Sequence, residues 1–355
     1  MNKIEACWIT LNRACNLRCS YCYTNDLGFK KEMDMKFDDF LKIVKFCKEA
    51  SINHITLIGG EPTVYTHLKE CIKILNNEKL DFVIVTNGIL FSDEKYLNEL
   101  IEAGLDKAGV ISISLKEVNE EKYKEVTGFE GFEKTLTAFK KLKDLGIRTT
   151  FSFVITPENV SRYLEGIKAF MPYNDENSRV GLSICYDFNE TGVKNKNYLK
   201  EWNYPQFINN FVKTLDELNN ITNGNWNLQC GIPRCLINKE DFDKIKKHTY
   251  VGCQLIDGWG LVFDTDLTII PCNSSFKTKI GKFGEDFVDY ESFVDYMNSE
   301  KVSFYLKYIR SLPHKICLDC ELLADCKGGC LSYWSQFSME DILEFKKRQT
   351  HLINN

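Results

Sequence analysis

Cys15-Asn16-Leu17-Arg18-Cys19-Ser20-Tyr21-Cys22 gathers three thiols into eight residues, separated by three residues and then by two, with an aromatic side chain before the last. The loop follows a short apolar segment. Three soft ligands on so short a loop can wrap one face of a cubic iron–sulfur cluster and leave its fourth iron without a protein ligand. A zinc knuckle and three unrelated thiols are the competing readings.

Composition narrows the class. The chain has 355 residues, 44% hydrophobic and 27% charged, with a net charge of −5. That is an ordinary globular composition, long enough for a large domain and a small one. The acidic balance gives no reason to expect nucleic acid or an anionic membrane as a partner. No apolar run approaches the ~18 residues of a membrane span, and no signal segment opens the chain. Fifteen cysteines without a secretion signal point to metal or redox use in a reducing compartment, so a cytoplasmic location is expected.

Apolar runs then alternate with helical patterns. The runs predict strands at Cys7–Leu11, His54–Ile58, Phe82–Thr86, Gly109–Leu115, Thr149–Ile155 and Val180–Tyr186. They are nearly continuous in Ile, Val and Phe, as in strands buried on both faces. Helical spacing covers Phe37–Ala50, Leu68–Asn77, Asp93–Ala103, Phe132–Leu145, Val160–Phe170 and the region around Tyr204–Leu218. Ser92 reads as an N-cap, Thr156-Pro157-Glu158 as a cap with Pro in the first turn, and Gly104 and Gly146 as helix stops. Six strand–helix units imply a parallel sheet with right-handed crossovers. They are too few to close an eight-stranded barrel, so an α/β fold is expected: an incomplete, laterally open (β/α)6 TIM-like barrel. Its chemistry belongs at the C-terminal strand ends. The cysteine loop falls there, as do Gly59-Gly60-Glu61-Pro62 after the second strand and Thr86-Asn87-Gly88 after the third.

The cysteine loop and Gly59–Pro62 together resemble radical S-adenosylmethionine (SAM) enzymes. The resemblance implies that Cys15, Cys19 and Cys22 ligate a 4Fe–4S cluster whose open iron chelates SAM. It also implies that Gly59, Gly60, Glu61 and Pro62 meet the methionyl group, with Asn87 and Ser114 as further cofactor contacts. Ser114 is the weaker match, and the acidic residue that relatives carry two places later is Lys116 here.

Beyond about residue 220 the texture changes, and eight cysteines fall between Cys230 and Cys330. The expected domains are 1–220 and 221–355. Cys317-x2-Cys320-x5-Cys326-x3-Cys330, with Cys253 and Cys272 ahead of it, is read locally as a zinc ribbon. Beside the first motif it resembles the SPASM extension, a module with two auxiliary 4Fe–4S clusters. The resemblance assigns Cys253, Cys272 and Cys330 to one cluster, with Cys235 as a candidate fourth ligand, and Cys317, Cys320 and Cys326 to the other. No cysteine follows Cys330, so the second cluster is expected to take Asp325, His351, a folded-back Cys230 or Cys235, or a substrate thiolate. Cys7, Cys47, Cys71 and Cys185 read as core thiols.

The implied cofactors are therefore SAM and three 4Fe–4S clusters. The implied activity is that of an oxidoreductase acting on a peptide or protein. The first reading is a maturase of a ribosomally made peptide that forms a thioether or carbon–carbon crosslink. An anaerobic sulfatase maturase is the runner-up, disfavoured because Asn273 stands where those relatives place an aspartate base. A zinc or iron–sulfur scaffold without catalysis is the third. Expected partners are a precursor peptide and a flavodoxin- or ferredoxin-type electron donor. Only 14 residues precede Cys15, so a separate leader-recognition protein or the barrel mouth itself would read the leader.

Overall fold

The computed structural model describes residues 4–185, 203–229, 232–249, 254 and 258–329 except Phe276, Arg310, Ser311 and Pro313. The barrel part runs β1 (Ala6–Thr10), α1 (Phe37–Glu49), β2 (His54–Ile58), α2 (Leu68–Asn77), β3 (Asp81–Thr86), α3 (Glu94–Glu102), β4 (Val110–Leu115), α4 (Glu120–Thr127), α5 (Phe132–Asp144), β5 (Thr149–Ile155), α6 (Tyr163–Phe170), β6 (Val180–Ile184), α7 (Tyr204–Val212) and α8 (Leu215–Thr222). There follow β7 (Trp226–Leu228), α9 (Lys239–Ile245), β8 (Gly260–Phe263), β9 (Thr268–Ile270), β10 (Gly281–Lys282), α10 (Tyr290–Met297), α11 (Glu300–Ile309) and α12 (Leu323–Cys326).

The strands make one sheet in the order β10-β9-β8-β1-β2-β3-β4-β5-β6-β7. From β8 through β7 every pairing is parallel, and among the described residues the sheet ends at β10 and β7 without closing. It is an open, TIM-like α/β arrangement.

Local chemistry explains the elements. α1 has Phe37, Phe40, Val44 and Cys47 at spacings of three and four and buries Phe40, Ile43, Val44, Phe46 and Cys47, the stripe a core-facing helix needs. Gly104 ends α3 at φ +98°, and a Cβ there would lie 2.4 Å from Nδ2 of Asn76; both facts require glycine. Several boundaries differ from expectation. Asp93, not Ser92, caps α3 by accepting from the Tyr96 N–H at 2.9 Å, because a carboxylate one residue nearer the helix reaches the free amide. Thr156–Arg162 turns before α6 begins, and the Asn159 side chain accepts from the Thr156 N–H at 2.8 Å. α4 was absent from the apolar pattern because its turns are mostly charged: only Tyr123 and Thr127 are buried.

Strands β1, β2, β6, β8 and β9 are buried along nearly their whole length, as expected, whereas β3, β4 and β5 are buried on one face only. In β4, Ile111, Ile113 and Leu115 are buried while Val110, Ser112 and Ser114 are half-exposed, and β5 alternates likewise. The buried set meets the helices: Phe151 packs edge-on to Phe139 at 5.9 Å and Phe153 lies 6.2 Å from Tyr163. The other set forms the inner wall, where Ser114 and Ser152 hydroxyls lie 3.4 Å apart and Ser183 donates to Gln229 at 2.8 Å. The residues beyond 220 belong to the same packing. Phe46 of α1 sits among Phe263, Phe283, Phe287, Tyr290 and Phe293, with ring centroids 5.3–6.1 Å away. Cys7, Cys47, Cys71 and Cys185 are buried.

At the β7 edge, His248 stacks on Trp226 with centroids 4.1 Å apart. Its Nδ1 lies 3.0 Å from the Trp226 carbonyl, and buried Nε2 has no partner among the described residues. Burial holds its pKa below the ordinary histidine value, with Lys247 and Arg179 adding to the effect. The unfolded chain therefore takes up a proton at higher pH than the folded one, so stability is full above about pH 6.5 and falls as pH drops below it. Melting the metal-free protein between pH 7.5 and 5.5 should show this loss, and His248→Gln should flatten the slope.

Candidate active site

Past β1 the chain runs on alongside the turn that follows β2. Leu11 N–H donates to Ile58 O (2.8 Å), Gly60 N–H to Asn12 O (2.8 Å) and Glu61 N–H to Ala14 O (2.9 Å). A Cβ on Gly60 would stand 2.3 Å from the Ala14 carbonyl oxygen, and one on Gly59 2.1 Å from Asn12 Oδ1. Both glycines are thus required by the chain entering the cysteine loop, whatever else they meet. That is a close backbone approach of the kind only glycine permits.

Glu61 is 2% exposed. Its Oε1 accepts from the Thr63 N–H (3.0 Å), the Thr63 hydroxyl (2.7 Å) and the Thr86 hydroxyl (2.6 Å), and its Oε2 from the Asn87 N–H (2.7 Å). The carboxylate ties the end of β2 to the end of β3. Asn87 carries the tie onward, its Nδ2 donating to Oδ1 of Asn16 at 2.7 Å within the cysteine loop. Their side chains are committed to this network, so what Glu61 and Asn87 offer a cofactor beside it is backbone. Pro62 is buried in the same turn, and Ser114 stands two strands away on the inner wall.

The loop is held on every side. Asp34 Oδ1 accepts from the Arg13 and Ala14 N–H groups (3.1 and 3.2 Å). The Arg18 and Ser20 N–H groups donate to Thr127 and Val126 at the end of α4, both at 2.9 Å. Asn25 Nδ2 donates to the Cys19 carbonyl at 3.1 Å. Of the thiols, Cys19 is buried while Cys15 and Cys22 are half-buried. Burial, aided by the Glu61 charge, pushes the Cys15 thiol up to about 12. Burial raises Cys19 to about 11, with the Lys116 charge the main counterweight. Both are neutral at pH 7 until a metal displaces the proton.

Among the described residues no three His, Cys, Asp or Glu side chains converge on one ion. A 4Fe–4S cluster takes each thiolate on a different iron. The donor set of soft sulfurs, with the Leu17 N–H donating to Cys15 Sγ at 3.4 Å, fits the cluster.

The later cysteines are only partly in view. Cys230, Cys253, Cys330 and His351, and the side chain of Asp325, lie outside the described residues. Cys272 follows β9 by two residues, and Cys235 sits in a turn at Arg234–Leu236. Cys317 is buried, with Cys320 and Cys326 half-buried in the short segment that ends with α12. Asn273 Oδ1 is buried without a partner among the described residues. Arg13 and Asp264 escaped the sequence reading: they pair at 2.5 Å across 251 positions, and no local pattern signals that contact.

The site is thus a three-cysteine loop at the C-terminal end of an open parallel α/β barrel, braced by a buried carboxylate. Residues 9–170 match the model of the radical SAM superfamily, and this segment is a radical SAM domain. A GTP 3',8-cyclase of Clostridium perfringens is 32% identical over 157 residues, 43% of this chain and 47% of that protein. A probable GTP 3',8-cyclase of Methanococcus maripaludis is 33% identical over 146 residues, 41% of this chain and 47% of that protein. The chain therefore spans about half the length of these relatives. Among solved structures, Streptococcus suis SuiB bound to its precursor peptide SuiA superposes with a TM-score of 0.70 at 17% identity, over 93% of this chain and 72% of that one. The anSMEcpe protein with bound AdoMet gives 0.68 at 19% identity, over 99% and 98%. These two share the fold.

Glu61→Gln replaces one accepting oxygen by a donor. The Thr hydroxyls can turn away, but a backbone N–H of Thr63 or Asn87 cannot. The variant should lose about 2–4 kcal/mol in urea unfolding of the metal-free protein, and a loss under 1 kcal/mol would contradict the brace.

Proposed function

We propose that this chain modifies a peptide or protein substrate by radical SAM chemistry, as a maturase that forms a thioether or carbon–carbon crosslink. The supporting observation is the extent of the fold likeness. It reaches past residue 170 through the cysteine-rich C-terminal part to cover 93% of the chain against SuiB with its precursor peptide, while the cyclase similarity stops at 157 residues.

In this reading Cys15, Cys19 and Cys22 would hold a 4Fe–4S cluster with SAM bound beside it, and that pair would supply the radical chemistry that takes hydrogen from an unactivated carbon. The chain's own residues position what reacts. Glu61 and Asn87 fix the loop against β2 and β3, and the turn at Gly59–Pro62 offers backbone groups to the methionyl end. The inner wall presents Ser114, Ser152, Ser183 and Gln229, hydroxyls and an amide that suit the neutral hydrogen-bonding groups of a peptide backbone. Cys272, Cys317, Cys320 and Cys326, with Cys253 and Cys330, are the ligands this reading assigns to two auxiliary clusters, and Cys235 is the candidate fourth ligand of the first. A flavodoxin- or ferredoxin-type donor and a cytoplasmic setting belong to the same proposal. Among the described residues no helix is long and apolar enough to cross a membrane.

Two other readings have specific support. The cyclase relatives favour a nucleotide substrate, and the near-complete coverage of anSMEcpe favours sulfatase maturation. Against the second, Asn273 cannot take a proton at neutral pH.

Anaerobically reconstituted protein should hold about twelve irons, three clusters of four. Replacing Cys15, Cys19 and Cys22 by Ala should remove about a third of that iron and abolish SAM cleavage. Four irons with tightly bound zinc would overturn the C-terminal assignment, and consumption of GTP by the reduced enzyme with SAM would overturn the peptide reading.

A further inference from the structure

Arg13 precedes Cys15 by two residues, and only 2% of its side chain is exposed. Its Nη2 meets Oδ1 of Asp264 at 2.5 Å, and Asp264 is itself 15% exposed. Removing one partner of so buried an ion pair is costly, because the charge that remains is shielded from water. Asp264 is fixed in turn: Oδ1 accepts from the Thr265 N–H at 2.6 Å, and the Asp264 N–H donates to Thr268 O at 2.8 Å. These bonds seat it in the turn between β8 and β9. β8 lies parallel beside β1, with Ile9 opposite Phe263, which brings Asp264 level with the start of the cysteine loop. A separate contact secures the other end of that loop. Tyr23 and Leu27, just after Cys22, pack on a small cluster of Ile58, Val262 and Ile270, the last two from β8 and β9.

We propose that Asp264 is a positioning residue for the cysteine loop: through Arg13 it seats Cys15–Cys22 on the β8–β9 hairpin, so that the three thiols are held in place by residues far outside the radical SAM domain. The same hairpin leads directly into Cys272. The arrangement of the first thiol set therefore depends on the C-terminal part of the chain being folded against β1.

The first measurement needs neither substrate nor metal. In the metal-free full chain, iodoacetamide labelling read by mass spectrometry reports each thiol. Cys19 is 7% exposed, and Cys47 and Cys71 are fully buried controls. Asp264→Asn should label Cys19 faster by about tenfold or more, with Cys47 and Cys71 unchanged, while Asp264→Glu restores slow labelling. In reconstituted protein, Asp264→Asn should also weaken the electron paramagnetic resonance signal that is lost when Cys15, Cys19 and Cys22 become Ala. Unchanged Cys19 labelling in Asp264→Asn would overturn the proposal. So would a joint rise at Cys19, Cys47 and Cys71, which would make the pair a support of the whole fold rather than of this loop.

Discussion

One buried carboxylate organises the catalytic end of this barrel. Glu61 receives four hydrogen bonds from Thr63, Thr86 and Asn87, and those donors come from the ends of two neighbouring strands. Charge-assisted bonds of this kind are short and strong because the acceptor is ionised and shielded from water. Asn87 passes the constraint to Asn16, and the backbone run from Leu11 to Ala14 lies against the same turn. Three strand ends and the thiol loop therefore move together or not at all.

That constraint gives the glycines a second meaning. In sequence, Gly59 and Gly60 look like room made for a ligand. In the structure, the space a side chain would fill at each is taken by Asn12, Arg13 and Ala14. The motif first lets two backbones cross closely, and whatever binds beside them meets a surface already set by that crossing. The neutral thiols of Cys15 and Cys19 follow from the same enclosure, since burial that fixes the loop also disfavours thiolate until metal arrives.

Much of this was legible in the chain. Strands His54–Ile58 and Thr149–Ile155 and helix Leu68–Asn77 fall where the apolar periodicity puts them, because each is dominated by one clear repeat. The placing of motifs at strand ends was also readable, being a property of parallel α/β topology. What was not readable has physical causes. Ser112, Ser114 and Ser152 are small enough to sit unnoticed in runs that otherwise look apolar, so the half-exposed faces of β4 and β5 do not stand out from strands such as β1 and β2 that are buried nearly throughout. Helix α4 is mostly charged and is placed by what docks on its end rather than by its own stripe. The pairing of β8 with β1, the aromatic nest around Phe46 and the Arg13–Asp264 contact join residues more than two hundred positions apart. Nothing local in a sequence encodes such contacts. For the same reason a boundary near 220 describes the change in texture, while the sheet itself runs on through β7 and β8.

The position of β1 has a consequence for how the chain comes to be folded. β1 is an interior strand of the finished sheet, flanked by β2 on one side and by β8 on the other. On a ribosome, β2 follows within about fifty residues, but β8 emerges only after some two hundred more. Through that interval one edge of an apolar parallel strand stands unpaired, with Phe46 uncovered nearby, and such edges invite association with other chains. Late, long-range closure of this kind is intrinsically slow. The yield of soluble protein should therefore be governed less by the strength of the finished core than by how long that edge stays open during synthesis.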